Sequence, residues 1–167
     1  MGNKLKSNRE VIRVGGRLKE LTIIKDEAGN VIHKILSPLM LEFKPKDILQ
    51  VIVGSTILAI PLAYTQEVWD LGTSMSMRNI FFLLLLSLTF ISGFVYYTYY
   101  RKDFKSHYIE FIKRSFSTYV FSFLIVTLIL ALIGKAPWTV DWVLAFKRTV
   151  LVAFPASMSA TIADTIK

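Results

Sequence analysis

Residues Asn79 to Tyr100 read NIFFLLLLSLTFISGFVYYTYY, 22 positions without a charge. Wound as a helix at about 1.5 Å per residue, such a run covers the roughly 30 Å of a bilayer's hydrocarbon core and reads as a membrane span. Working outward, Ile48 to Gln66 supplies 19 uncharged residues and Ser115 to Gly134 supplies 20. A fourth run, Thr149 to Ala163, has 15 and reaches spanning length only when Trp142 to Phe146 and the pair Lys147 and Arg148 are included. Its alternative is a re-entrant or interfacial helix. The expected fold is an all-α membrane protein with four transmembrane helices over about 47–69, 79–100, 115–134 and 142–164, preceded by a basic arm over 1–46. Composition agrees, since 53% of the 167 residues are hydrophobic and 19% charged, outside the range of a water-soluble enzyme with one large core.

Several kinds of chemistry are excluded at once. The chain has no cysteine, which removes disulfides, zinc ribbons and thiol redox work, and its two histidines, His33 and His107, are too few for a multi-histidine metal site. No cofactor is expected. Within the spans there is no Ser-His-Asp, His-rich or paired-carboxylate constellation, so the chain is not expected to be an enzyme.

Charge sets the direction. Ten Lys and Arg precede the first span and five (Arg101, Lys102, Lys105, Lys113, Arg114) lie between the second and third, against Arg78 and Lys135 in the other connections. By the positive-inside rule both termini and the second loop face the cytoplasm. Trp69, Trp138 and Trp142 then fall at outer ends, where amphipathic rings prefer the headgroup layer. The arm holds ten Lys and Arg and no short apolar run, so no cleavable signal peptide is read and the N-terminus is expected to be retained. The net charge of +8 is thereby explained as cytoplasmic charge facing anionic lipid, with the bilayer rather than nucleic acid as partner.

Before the first span, Leu18 to Lys25 and Val31 to Leu36 are two runs rich in β-branched residues around Asp26-Glu27-Ala28-Gly29-Asn30, which signals a β-hairpin ended by Ser37-Pro38. A lone hairpin is marginal in water, so it needs a further strand such as Val11 to Val14, a neighbouring subunit or the second loop. Asp26, Glu27 and Asn30 are read either as solvated turn residues or as a small cation site, though their spacing lacks the ligand density of a calcium loop. In the second loop Phe104, Tyr108, Phe111 and Ile112 keep helical spacing against basic residues, so the second and third spans are expected to continue as helix past the interface and rest on anionic headgroups. His107 reads as a solvent-facing loop residue or a pH sensor.

The first span closes on Pro61-Leu62-Ala63-Tyr64-Thr65-Gln66-Glu67-Val68-Trp69-Asp70-Leu71-Gly72. Proline removes a helix hydrogen bond and kinks a span, so polar or packed neighbours are expected beside Pro61, and likewise beside Pro155 in the last span. This stretch resembles a prokaryotic integral-membrane family catalogued as a domain of unknown function, through Pro61, Leu62, Tyr64, Thr65, Glu67, Trp69 and Gly72. Phe154-Pro155-Ala156-Ser157 and Ala160 to Asp164 look like that family's closing helix. The resemblance implies a multi-pass protein of a prokaryotic plasma membrane and assigns no activity.

Ionisable residues at membrane depth are costly, about 2.5–3.5 kcal/mol at the centre, and each invites a partner. Lys147 and Arg148 share an outer level with Glu67, Asp70 and Asp141. They are read either as ion-pair partners, above all for Glu67, or as long side chains snorkelling to the interface. On the last span Ala153, Ser157, Ala160 and Asp164 form one stripe of small residues ending in a carboxylate, read as a packing seam or as the lining of a water-filled axis with Pro155 and Ser159 allowing a bend. Asp47, Gln50, Gly54 and Pro61 make a second stripe on the first span, and Glu67 falls away from it on a straight helix. Four helices fill their own interior, so conduction would need a ring of subunits. The leading expectation is a homo-oligomeric cation channel carrying an inorganic cation past Glu67, Asp70 and Thr65 outside and Gln50, Ser157 and Asp164 inside. The alternatives are a non-conducting membrane scaffold and a small secondary transporter. Internal repeats with matched helix breaks mark many transporters, and the proline-bearing first and last spans do not correspond between halves.

Overall fold

The computed structural model describes residues 6–14, 17–26, 31–38, 43–101, 104 and 107–166. It divides into two compact units, Met1–Glu42 and Phe43–Lys167.

The first unit is a small antiparallel sheet of β1 (Lys6–Val14), β2 (Arg17–Lys25) and β3 (Val31–Pro38), in the order β1-β2-β3. The hairpin expected from the two β-branched runs is β2–β3. The Val11 to Val14 run supplies the stabilising neighbour, with Val14 opposite Arg17 and Val11 opposite Glu20. The ladder between β2 and β3 shifts register at Ile24 and Lys25, leaving Ile32 as the extra residue of a bulge. Of the turn residues read as a cation site, Asp26 follows β2, while Glu27 and Asn30 lie outside the described residues.

The second unit holds α1 (Pro45–Ala63), α2 (Gln66–Ser74), α3 (Met77–Val95, continued by a π-helical turn over Tyr96–Tyr100), α4 (Tyr108–Leu132) and α5 (Trp142–Thr165). Four of these, all but α2, are long and apolar enough to cross a membrane. Each boundary has a chemical cause. Pro45 opens α1, where a missing N–H costs nothing. Asp141 caps α5 by accepting the Leu144 N–H at 2.9 Å. After α4, Gly134 takes a φ of 70°, and the Lys135 and Gly134 N–H groups bond back to the Leu130 and Ala131 carbonyls, a Schellman closure that suits glycine.

The first span is shorter than expected. Instead of running to residue 69, the helix stops at Ala63, two residues after Pro61, and the extended Thr65 starts the separate α2. Pro61 sits in the last turn and offers no N–H to the carbonyl four residues back. The Thr65 hydroxyl donates to the Leu62 carbonyl at 2.7 Å, and the Trp69 indole N–H donates to the Ala63 carbonyl at 2.8 Å, so the last two carbonyls of the helix are bonded. The third span starts early, with α4 beginning at Tyr108 as the spacing of Tyr108, Phe111 and Ile112 predicts, but the second span does not continue into the loop: its π turn ends at Tyr100 and Phe104 lies in neither helix.

Small residues set the tightest contact. Gly54 of α1 lies so close to α5 that an added Cβ would come within 2.5 Å of the Ala163 Cβ and 2.8 Å of the Ala160 Cα. The stripe Ala153, Ser157, Ala160 and Asp164 is buried throughout, and it packs inside the bundle rather than facing a water-filled axis. In lipid, where apolar burial gives helices little reason to associate, close approach through small residues supplies the packing energy. Gly54→Val therefore forces α1 and α5 apart, at about 1–3 kcal/mol of bundle stability. Gly93, with open space beside it, serves as control. Thermal unfolding in detergent should show a lower Tm for Gly54→Val and little change for Gly93→Ala.

Candidate functional site

Each of α1, α3, α4 and α5 brings a polar residue to one point at the end of the bundle where α1 begins and α5 finishes. Arg114, in the second turn of α4, is fully buried, and Asp164 and Asp47 are 1% and 2% exposed. The Arg114 guanidinium grips Asp164 in a fork: Nε donates to Oδ2 at 2.9 Å, and Nη2 reaches Oδ1 at 2.9 Å and Oδ2 at 2.7 Å. Nη2 also lies 3.5 Å from Oδ2 of Asp47. That same Asp47 oxygen accepts the Lys44 backbone N–H at 3.0 Å, so one carboxylate both caps α1 and faces the guanidinium. Aromatic rings roof the cluster, with Tyr99 at 4.0 Å and Phe43 at 5.7 Å from the guanidinium carbon. The Tyr99 hydroxyl donates to the Asp164 backbone carbonyl at 2.9 Å.

Two carboxylates around one planar guanidinium is an arrangement that arginine's five donors satisfy and lysine's would not. In a bundle interior an isolated charge would be neutralised or solvated, so the ions persist through pairing. Asp164 is therefore not an open carboxylate at an aqueous mouth. Gln50, one turn from Asp47, donates to the Ile166 carbonyl at 2.7 Å and ties α1 to the end of α5. Ser157 lies deeper, hydrogen-bonded to Ser87 of α3 at 2.9 Å.

The opposite end is held differently. Glu67 and Asp70 are exposed on α2, and no ion pair joins either to Lys147 or Arg148 among the described residues. Glu67 lies in the first turn of α2, where a carboxylate offsets the helix dipole. The two cations bind carbonyls instead. Lys147 Nζ donates to Met75 at 2.7 Å, while Arg148 donates through Nε to Trp69 at 3.3 Å and through Nη1 to Lys135 at 2.9 Å. Gly72 makes room for this, because a Cβ there would sit 2.5 Å from the Arg148 Cγ. Lys135 Nζ stands 3.7 Å above the Trp69 ring, a cation–π contact that leaves its charge compensated without a carboxylate. Asp141 serves as the α5 cap rather than as a partner for either cation. Pro155 lies within a continuous α5.

The family model for DUF2391, integral membrane proteins of unknown function, matches residues 25–166. The chain belongs to the DUF2391 family. The membership agrees with the resemblance read from Pro61 to Gly72 and from the last span, and makes the chain an integral membrane protein. No curated protein and no solved structure matches it. In this DUF2391 member the matched segment contains β3 and all four spans, while β1 and most of β2 precede it.

Sequence reasoning placed Arg114 among loop cations resting on headgroups. The structure buries it, while its neighbour Lys113 stays 62% exposed beside Glu110. The signal was present: Arg114, Thr118 and Ser122 recur every four residues and are all buried on one α4 face. The uncharged run that begins at Ser115 concealed it.

Breaking a buried pair by removing one partner strands the other. Arg114→Leu and Asp164→Asn should each destabilise the bundle by about 3–5 kcal/mol. The exchanged double variant Arg114→Asp with Asp164→Arg should lose less stability than the sum of its own two single variants, Arg114→Asp and Asp164→Arg, read as a favourable coupling in a double-mutant cycle of Tm values.

Proposed function

We propose that this DUF2391 protein is a non-conducting membrane scaffold, a four-helix anchor that fixes a basic three-stranded sheet to the cytoplasmic face. One observation carries the reading: Asp164, the carboxylate a pathway would need at the terminal end, is closed into a fork by a fully buried Arg114. The packing of the bundle supports it as well. Ala59, Ala63, Val126, Leu130, Ala145, Val152, Ala153 and Ala156 pack as one apolar cluster, and the hydroxyls of buried Ser55, Ser122 and Thr149 donate to carbonyls of their own helices. The excess of Lys and Arg before α1 and between α3 and α4 supports a cytoplasmic location for both termini and contact with anionic lipid. The sheet ends at Pro38 and α1 begins at Pro45, so a short connection tethers it there. No reaction is assigned to the protein.

A second reading, the homo-oligomeric cation channel, draws support from Glu67 and Asp70, which stay exposed on α2 and open to a neighbouring copy. In that arrangement ions pass between subunits, and Asp164 takes no part unless Arg114 releases it. Cation flux into proteoliposomes separates the two. The scaffold predicts flux at the level of protein-free vesicles. Flux above that level that falls on Glu67→Gln, with assembly unchanged, would establish the channel instead.

A further inference from the structure

We propose that the outer cleft between α3 and α5, at the end where both helices finish, binds an anionic phospholipid, with an acyl chain in the cleft and Arg101 on the phosphate. Phe90, Phe94, Met158 and Ile162 wall the cleft, and the buried Ile91 and Thr161 lie beneath, around a volume of about 90 Å³. The Thr161 hydroxyl donates to the Ser157 carbonyl at 2.7 Å, so its one donor is used and the lining is apolar. Both helices are of spanning length, which makes hydrocarbon the medium at this depth. A gap there leaves its lining short of contacts, and a flexible acyl chain restores them.

Toward the helix ends the same side of α3 turns polar. Phe90, Phe94, Tyr97 and Arg101 follow at four, three and four residues, the spacing of one helix face, and all four are exposed. The Arg101 guanidinium carbon stands 5.2 Å from the Tyr97 ring centroid, and among the described residues no carboxylate pairs with it. The eleven residues from Phe90 to Arg101 rise roughly 16 Å, which matches the roughly 15 Å of hydrocarbon in one leaflet. One amphiphile with an anionic head and a hydrocarbon tail therefore meets both ends of this face at once. Arginine's planar fork fits phosphate oxygens, and Lys102 and Lys105 add positive charge next in the sequence. A further helix suits the cleft less, because helices in lipid approach through small residues and Phe90, Phe94, Met158 and Ile162 hold a backbone away. The site requires only that α3 and α5 span the bilayer, whether or not the bundle conducts.

Native mass spectrometry of the full-length protein in detergent, titrated with phosphatidylglycerol or phosphatidylcholine, tests the site. The wild type should bind one phosphatidylglycerol more tightly than phosphatidylcholine. Arg101→Gln should lower the phosphatidylglycerol affinity about fivefold and remove most of that preference. Ile162→Trp, which fills the cleft from its exposed lip, should weaken both lipids. Lys113→Gln removes another exposed cation, on α4, and should leave binding unchanged. An equal loss in Lys113→Gln would mean attraction to basic charge at large. Unchanged binding in Ile162→Trp would put the lipid elsewhere, and a wild-type dimer that Ile162→Trp dissociates would make a second copy the occupant. Each of these results overturns the proposal. So does a phosphatidylglycerol preference that survives Arg101→Gln, the variant that decides alone if Ile162→Trp lowers the Tm in lipid-free detergent.

Discussion

The fork between Arg114 and Asp164, with Asp47 on its flank, is the constraint on which the rest of the bundle depends. The guanidinium is wholly shielded from solvent, and two carboxylates and an aromatic face compensate its charge in place of water. Asp47 starts α1, Arg114 lies near the start of α4, Asp164 near the end of α5, and Tyr99 near the end of α3. One ionic cluster therefore fixes the relative height of all four spanning helices. Gly54 and Ala160 bring α1 and α5 close enough for it to form, and a shift of one helix by a turn would carry a charge into hydrocarbon without its partner. Register, which small-residue packing specifies weakly, is set by this cluster.

Among the described residues the far end has no comparable ion pair, and chain geometry explains why. Once Pro61 and Thr65 end α1, the chain turns into α2 and presents backbone carbonyls toward α5. Lys147 and Arg148 bond those carbonyls, and Gly72 leaves the space that the arginine stem occupies. Long cationic side chains thus anchor α2 on α5 without requiring Glu67, which remains on the surface. The two ends are asymmetric: one is closed by matched charges, the other by cations on the carbonyls of the linking segments.

Uncharged runs marked the spans because the hydrocarbon core imposes a length, and β-branched runs around Gly29 and Asn30 marked the sheet because strand and turn chemistry are local. Asp141, read as a partner for Lys147 or Arg148, is instead the cap of α5. What the sequence concealed was non-local. Arg114 looks like a loop cation until α5 places Asp164 opposite it, 50 residues away. Similarly, Glu67 and Arg148 read as sharing a level, but whether the arginine meets that carboxylate or a backbone carbonyl depends on how α2 folds back. The stripe from Ala153 to Asp164 was correctly seen as one face, yet whether that face meets α1 or water depends on the partner helix, a matter of packing that periodicity does not encode.

If the cluster closes the bundle, the small-residue face of α5 is dry. Thiol labelling tests this directly in a chain that has no native cysteine. Ser157→Cys and Ala160→Cys, probed in intact membrane vesicles with a small membrane-impermeant thiol reagent applied from either side, should remain unmodified while Val140→Cys, in an exposed loop position, reacts readily. Modification of Ser157→Cys or Ala160→Cys at a rate comparable to Val140→Cys would show that water reaches the stripe and would contradict a bundle closed by Arg114.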